Sequence, residues 1–109
     1  MKILTTVLLV SGALNSLSNQ SIDKALIRHI IGKWEIRTYG YEFKKDGTYI
    51  LFNPDNGSVL VNGKWTVKDS RLYLVSEGRE QLAKLKITGP DSWEWQSSPD
   101  RIWEANRIK

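Results

Sequence analysis

IRHIIGKWEIRTYG, residues 27–40, changes its hydrophobic period in the middle. Before Gly32 the apolar residues recur at helical spacing, and from Trp34 onward they alternate with polar ones. Read backwards, Ile22, Leu26 and Ile30 fall at i, i+4 and i+8, joined by Ala25, Ile27 and Ile31. That pattern predicts one short amphipathic helix over about 21–31, with Ser21 as N-cap, Asp23 in the first turn and Gly32 as the stop. Trp34 then opens the first strand.

Read forwards, the period of two persists to the C-terminus. YEFKKDGTYILF, residues 41–52, carries Asp46-Gly47 between two alternating runs, a hairpin signal because a type I′ turn needs positive φ at both central positions. Pairing about a two-residue turn sets Phe43 opposite Ile50 and Tyr41 opposite Phe52, and leaves Tyr49 and Leu51 on the outer face, where they would suit dimerisation. Further on, Val59, Val61, Trp65 and Val67 point inward past a bulge or bend at Gly63, then RLYLV, QLAKLKI, SWEWQ and RIWEANRI follow with short polar connections. Eight strands with short connections over residues 33–108 predict an all-β fold, a small antiparallel up-and-down barrel preceded by one short helix.

The residues before this pattern read differently. MKILTTVLLVSGALNSLS has a cationic start at Lys2, an uncharged apolar run and small residues at Ser16 and Ser18, the pattern of an export signal cleaved after residue 18. The domain is then 19–109, secreted or periplasmic, and no stable membrane span is expected once the signal is gone. Cleavage removes Lys2 and leaves 91 residues with a net charge of about +3. Along the sequence that excess is scattered, so no nucleic-acid partner is expected. No cysteine is present, which excludes disulfides, thiolate metal sites and lipid attachment through cysteine.

Strand direction places the two chain ends together. With the helix at the bottom, the first strand climbs from Trp34 and the eighth descends to Arg107, so these two meet at the floor. Gly32-Lys33-Trp34 after a short helix, with an arginine near the end of the last strand, resembles the lipocalin and calycin signature. GKWEI, YEFKKDGTYILF and GKWTVKDSRLYL resemble the short bacterial lipocalin-like domains, many of them secreted. The resemblance implies structural roles for Gly32, Trp34 and Arg107, with the arginine lying across the tryptophan to close the barrel, and a small ligand held at the open end.

Catalytic chemistry finds little support. A single histidine, His29, and dispersed carboxylates give no metal site and no expected cofactor, and no nucleophile sits in a recognisable motif. Glu77 and Glu80 read as part of a solvated loop rather than as a catalytic pair. A non-enzymatic role is expected. The direction rule puts Thr38, Tyr41, Phe52, Val59, Leu74, Trp95, Arg101 and Trp103 inward in the upper half. Tyr41, Phe52, Trp95, Arg101 and Trp103 are therefore the candidate ligand-binding residues, with Arg101 meeting an anionic head group. The competing assignment makes Trp95 and Trp103 core and Arg101 a rim residue. Two functions follow: a secreted module holding a small apolar or amphipathic ligand, or a side-chain-filled barrel that binds a protein partner, such as an envelope or extracellular enzyme.

Overall fold

Leu26 and Ile30 bury the inner side of helix α1 (20–30), whereas Ile22 is 50% exposed and takes no part in the apolar stripe. The structure, a computed structural model, describes residues 20–109; the expected export signal lies outside them. Eight strands follow: β1 (Gly32–Ile36), β2 (Tyr39–Phe43), β3 (Thr48–Phe52), β4 (Val59–Lys68), β5 (Arg71–Ser76), β6 (Arg79–Gly89), β7 (Ser92–Ser98) and β8 (Arg101–Arg107). Each pairs antiparallel with the next and β8 returns to β1, closing the barrel. The strand count, their up-and-down order and the single leading helix are those expected from the alternation.

Most connections are two-residue turns, and several use positive φ. Asp69 and Ser70 have φ of 53° and 62°, the type I′ signature, and their amides both donate to the Asp23 carboxylate of α1 at 2.9 Å. Asp23 thus ties the helix to the bottom of the β4–β5 hairpin. Its sequence position had suggested a first-turn charge at the helix start; its contacts make it a cap for another element.

At the floor, the last carbonyls of α1 find partners on the barrel. Trp34 Nε1 donates to the Ile30 carbonyl at 2.7 Å, and Arg107 Nη2 donates to that of His29 at 3.4 Å. The Arg107 guanidinium lies 4.2 Å over the Trp34 ring and its Nε donates to Asp91 at 2.9 Å. Trp34 and Arg107 are also register partners across the β1–β8 seam. Gly32 has φ of 133°, and a Cβ there would stand 2.8 Å from Arg107 Nη1. The side chain that closes the barrel therefore occupies the space that glycine leaves.

The β2–β3 hairpin departs from expectation by one residue. Its ladder pairs Phe43 with Tyr49 and Tyr41 with Leu51, because the loop holds three residues, Lys45 to Gly47, closed by Lys44 N to Thr48 O at 2.9 Å and Gly47 N to Lys44 O at 3.1 Å. Strand β4 fixes that choice: Trp65 donates its backbone N–H to Gly47 O and its indole N–H to Lys44 O, each at 2.9 Å. A slip of one residue turns every side chain of β3 over. Tyr49 is accordingly buried in the core rather than available for dimerisation, and Phe52 lies outside, its ring packed where a Cβ on Gly40 would be. Gly63 is likewise no bulge; it pairs in register with Tyr49 and its missing side chain leaves room for the Tyr49 ring. The irregularity in this pair of strands is at Leu51/Phe52.

The interior is aromatic and filled over its lower part. Trp34 meets Trp93 edge-on at 5.8 Å, Trp93 stacks on Trp95 at 6.1 Å, and Phe43 contacts Trp65, Tyr49 and Trp93. Leu72, Leu74, Ala83 and Ala105 complete the core. Phenylalanine and tryptophan rings meeting at such distances add to the area they bury. His29 packs at the core's edge, its ring 5.8 Å from that of Trp34 and its Nε2 3.3 Å from Ser92 O.

Candidate functional site in the barrel mouth

Filling stops before the top. Above Trp95 the barrel opens into a pocket of ≈ 380 Å³ lined by Ile36, Arg37, Tyr39, Tyr41, Gln81, Leu82, Trp95, Ser97 and Trp103. Alternation on the strands explains the wall. Ile36, Tyr39 and Tyr41 point inward from β1 and β2, Gln81 from the upper part of β6, and Trp95 and Trp103 face each other as register partners on β7 and β8. Tyr41 sits 5.5 Å from Trp95, so the pocket floor is the upper surface of the aromatic core.

Three of the five expected ligand-binding residues therefore converge here: Tyr41, Trp95 and Trp103. Phe52 does not, since the register of β3 sends it to the outer wall, where it borders a shallow depression with Lys33, Glu35 and Pro54. Nor does Arg101, which starts β8 on the rim, is exposed and lines none of the pocket. Thr38 and Val59, expected inside, are exposed as well, because Thr38 belongs to a turn and the β3–β4 register shifts just before Val59.

The cation of the mouth is Arg37. It opens the two-residue turn between β1 and β2 with φ of 59°, a conformation that an L side chain adopts at a cost. Its guanidinium lies 4.0 Å over the Trp103 ring. Among the described residues the ion pair present is Arg107 with Asp91, so the Arg37 charge is balanced by a π face and by no carboxylate. The sequence hid this residue because Arg37-Thr38 carries none of the usual turn chemistry; the signal was only that Ile36 and Tyr39 both belong to alternating runs.

Besides Arg37, the wall supplies hydrogen-bonding groups: the Tyr39 and Tyr41 hydroxyls, the Gln81 amide and the Ser97 hydroxyl. Burial, followed by the neighbouring Tyr49 and Tyr39, pushes the Tyr41 phenol above its ordinary value of 10.0. Tyr41 is therefore a neutral donor or acceptor at any physiological pH. No cluster of three or more histidine, cysteine, aspartate or glutamate side chains suited to a metal occurs among the described residues, and no described helix is long and apolar enough to cross a membrane.

Compared with protein-family models, with curated proteins and with solved structures, the chain matches none.

Proposed function

We propose that the protein is an exported, non-enzymatic binding module that holds a small amphipathic molecule in the barrel mouth, its apolar or aromatic body against Trp95 and Trp103 and a carboxylate at Arg37. The observation that carries this reading is an aromatic pocket whose lip bears an arginine with no carboxylate in ion-pairing distance among the described residues. At ≈ 380 Å³ the pocket falls at the small end of the range that binds drug-sized ligands, which is room for one or two rings or a short acyl chain. The ligand sits above the core and not within it. A lipocalin-like assignment is supported by the meeting of Trp34, Arg107 and Gly32 at the floor, and export by the pattern of residues 1–18.

Titration with aromatic acids and medium-chain fatty acids, followed by tryptophan fluorescence, tests the proposal. Saturable quenching is expected. Arg37→Gly, which suits the local φ and removes the charge, should weaken carboxylate binding at least tenfold while leaving the matching alcohol unaffected. Arg101→Ala should bind as the parent does. Absence of saturable change with every acid would refute the function, and equal effects of the two arginine variants would refute the role of Arg37.

A second reading rests on another observation. Tyr39, Val59, Leu60, Val75, Leu82 and Ile102 are each between 44% and 52% exposed and all belong to the upper ends of their strands. An apolar rim of this kind fits a protein partner, such as an envelope or extracellular enzyme. Recovery of no partner from a native envelope fraction at physiological salt would count against it.

A further inference from the structure

The positive charge that is scattered along the sequence is gathered by strand register onto one outer face. Lys68 pairs with Arg71, Arg71 with Lys84, and Lys84 with Gln96, so one row across β4, β5, β6 and β7 carries three adjacent cations. Cβ atoms of such partners lie about 5 Å apart, and like charges there repel. Lys64, on the same face of β4, extends the field, whereas Lys86 on β6 stands opposite Glu94 of β7; all five cations are exposed. None forms an ion pair among the described residues. The row runs into a cleft of ≈ 320 Å³. Pairing of β6 with β7 begins only at Lys84–Gln96, and above it Leu82 and Ala83 stand apart from Ser97 and Ser98.

We propose that this face binds an acidic polysaccharide, with a uronate carboxylate gripped by Arg71 and Lys84 and its sugar ring seated in the β6–β7 cleft. Arg71 supplies a planar fork for a carboxylate, the Gln96 amide and Ser97 hydroxyl meet sugar hydroxyls, and Leu82 gives the ring an apolar floor. The neighbouring row places half-buried Tyr73 between Thr66 and Leu82, a single aromatic surface for one further sugar. Single-stranded nucleic acid is served by successive aromatic platforms, and this face has one. A planar bilayer would touch a convex barrel wall along one strand, whereas a flexible chain can follow the row around it. The cleft borders the mouth pocket, sharing Leu82 and Ser97 with its wall, but Arg37 and Trp103 take no part in it.

Calorimetric titration of the full chain with oligogalacturonate at low salt tests this. Saturable binding that weakens as salt rises is expected, with no binding of an uncharged malto-oligosaccharide of equal length. The double variant Arg71→Gln/Lys84→Gln should bind at least tenfold more weakly, and because it relieves repulsion its melting temperature should equal or exceed that of the parent. Arg28→Gln, on the exposed side of α1, should bind as the parent does. Absence of saturable binding, full binding by the folded double variant, or tighter binding of an oligothymidylate or of phosphatidylglycerol vesicles would each overturn the proposal.

Discussion

Trp34 and Trp93 are both fully buried, touch each other and line the same core, yet replacing each with phenylalanine should have very different consequences. The indole N–H of Trp34 donates to the Ile30 carbonyl at 2.7 Å, while that of Trp93 has no hydrogen-bond partner among the described residues. Trp34→Phe leaves a helix-terminal carbonyl buried and unmet, which costs about 1–3 kcal/mol. It also weakens the Arg107 stacking, part of an interaction worth ~0.5–2 kcal/mol, and leaves a small cavity worth about 1 kcal/mol. Together the cost is roughly 2–5 kcal/mol. Trp93→Phe makes a similar cavity but removes an unsatisfied donor, a gain of about 1–3 kcal/mol that offsets it, so the net change is near zero.

A gap of at least about 2 kcal/mol separates the two variants, or roughly 8–16 °C in melting temperature for a domain of this size. Urea unfolding followed by circular dichroism measures it, with equal m-values confirming that both variants unfold from equally compact states. Equal destabilisation by the two substitutions would refute the assignment of the floor as a hydrogen-bonded closure. Trp34→Ala removes the whole ring as well and should cost about 3–5 kcal/mol.

Other consequences are open to measurement. A Cβ at Gly63 would collide with the Val75 carbonyl and the Tyr49 ring, whereas at Gly78 it meets nothing and faces only φ of 76°. Gly63→Ala should therefore cost at least about 2 kcal/mol and Gly78→Ala about 1 kcal/mol, with urea midpoints in that order; the reverse order would contradict the β3–β4 register. Asp23→Ala frees the Asp69 and Ser70 amides, and hydrogen exchange at both should accelerate while the upper barrel stays protected. Thr48 donates to Asp46 through its hydroxyl and its backbone N–H, which holds the Asp46 carboxyl below its ordinary value of 3.8. A depressed folded value means that the stabilisation is present above the unfolded value and lost as pH falls through the folded one. Thr48→Val should shift the Asp46 carbon resonance titration upward, and an unchanged midpoint would sink the explanation.

What the sequence discloses and what it hides divide along physical lines. Period-two alternation and short turns are local, so eight strands, their directions and the meeting of Trp34 with Arg107 could all be read before any coordinates. Register is decided by distant residues. Asp46-Gly47 reads as a two-residue turn on local chemistry, but Trp65, far along the chain, bonds to Gly47 and Lys44 and selects the three-residue loop. That single choice turned Phe52 outward and Tyr49 inward. Arg37 was missed for a related reason: its turn has φ of 59° without glycine or asparagine, so nothing local announces it.

The same dependence on register explains why charge looked uninformative. Lys68, Arg71 and Lys84 are separated in sequence by turns and by whole strands, and only pairing places them side by side. An arrangement of like charges at directly opposed positions opposes folding, as does positive φ at Arg37. Arg37 lies at the end of the barrel away from the helix-capped floor, and the cation row leaves that floor at the Asp69-Ser70 turn and climbs the outer wall, whereas Trp34, Arg107 and the stacked tryptophans concentrate the stabilising contacts inside. A closed, well-bonded floor and interior allow the outer wall to carry unpaired cations, and the top an open aromatic mouth, without losing the fold. It follows that substitutions at Arg37, Arg71 or Lys84 should leave stability unchanged or raised while altering binding. Substitutions at Trp34 or Gly32 should lower stability and spare whatever binding the folded fraction retains.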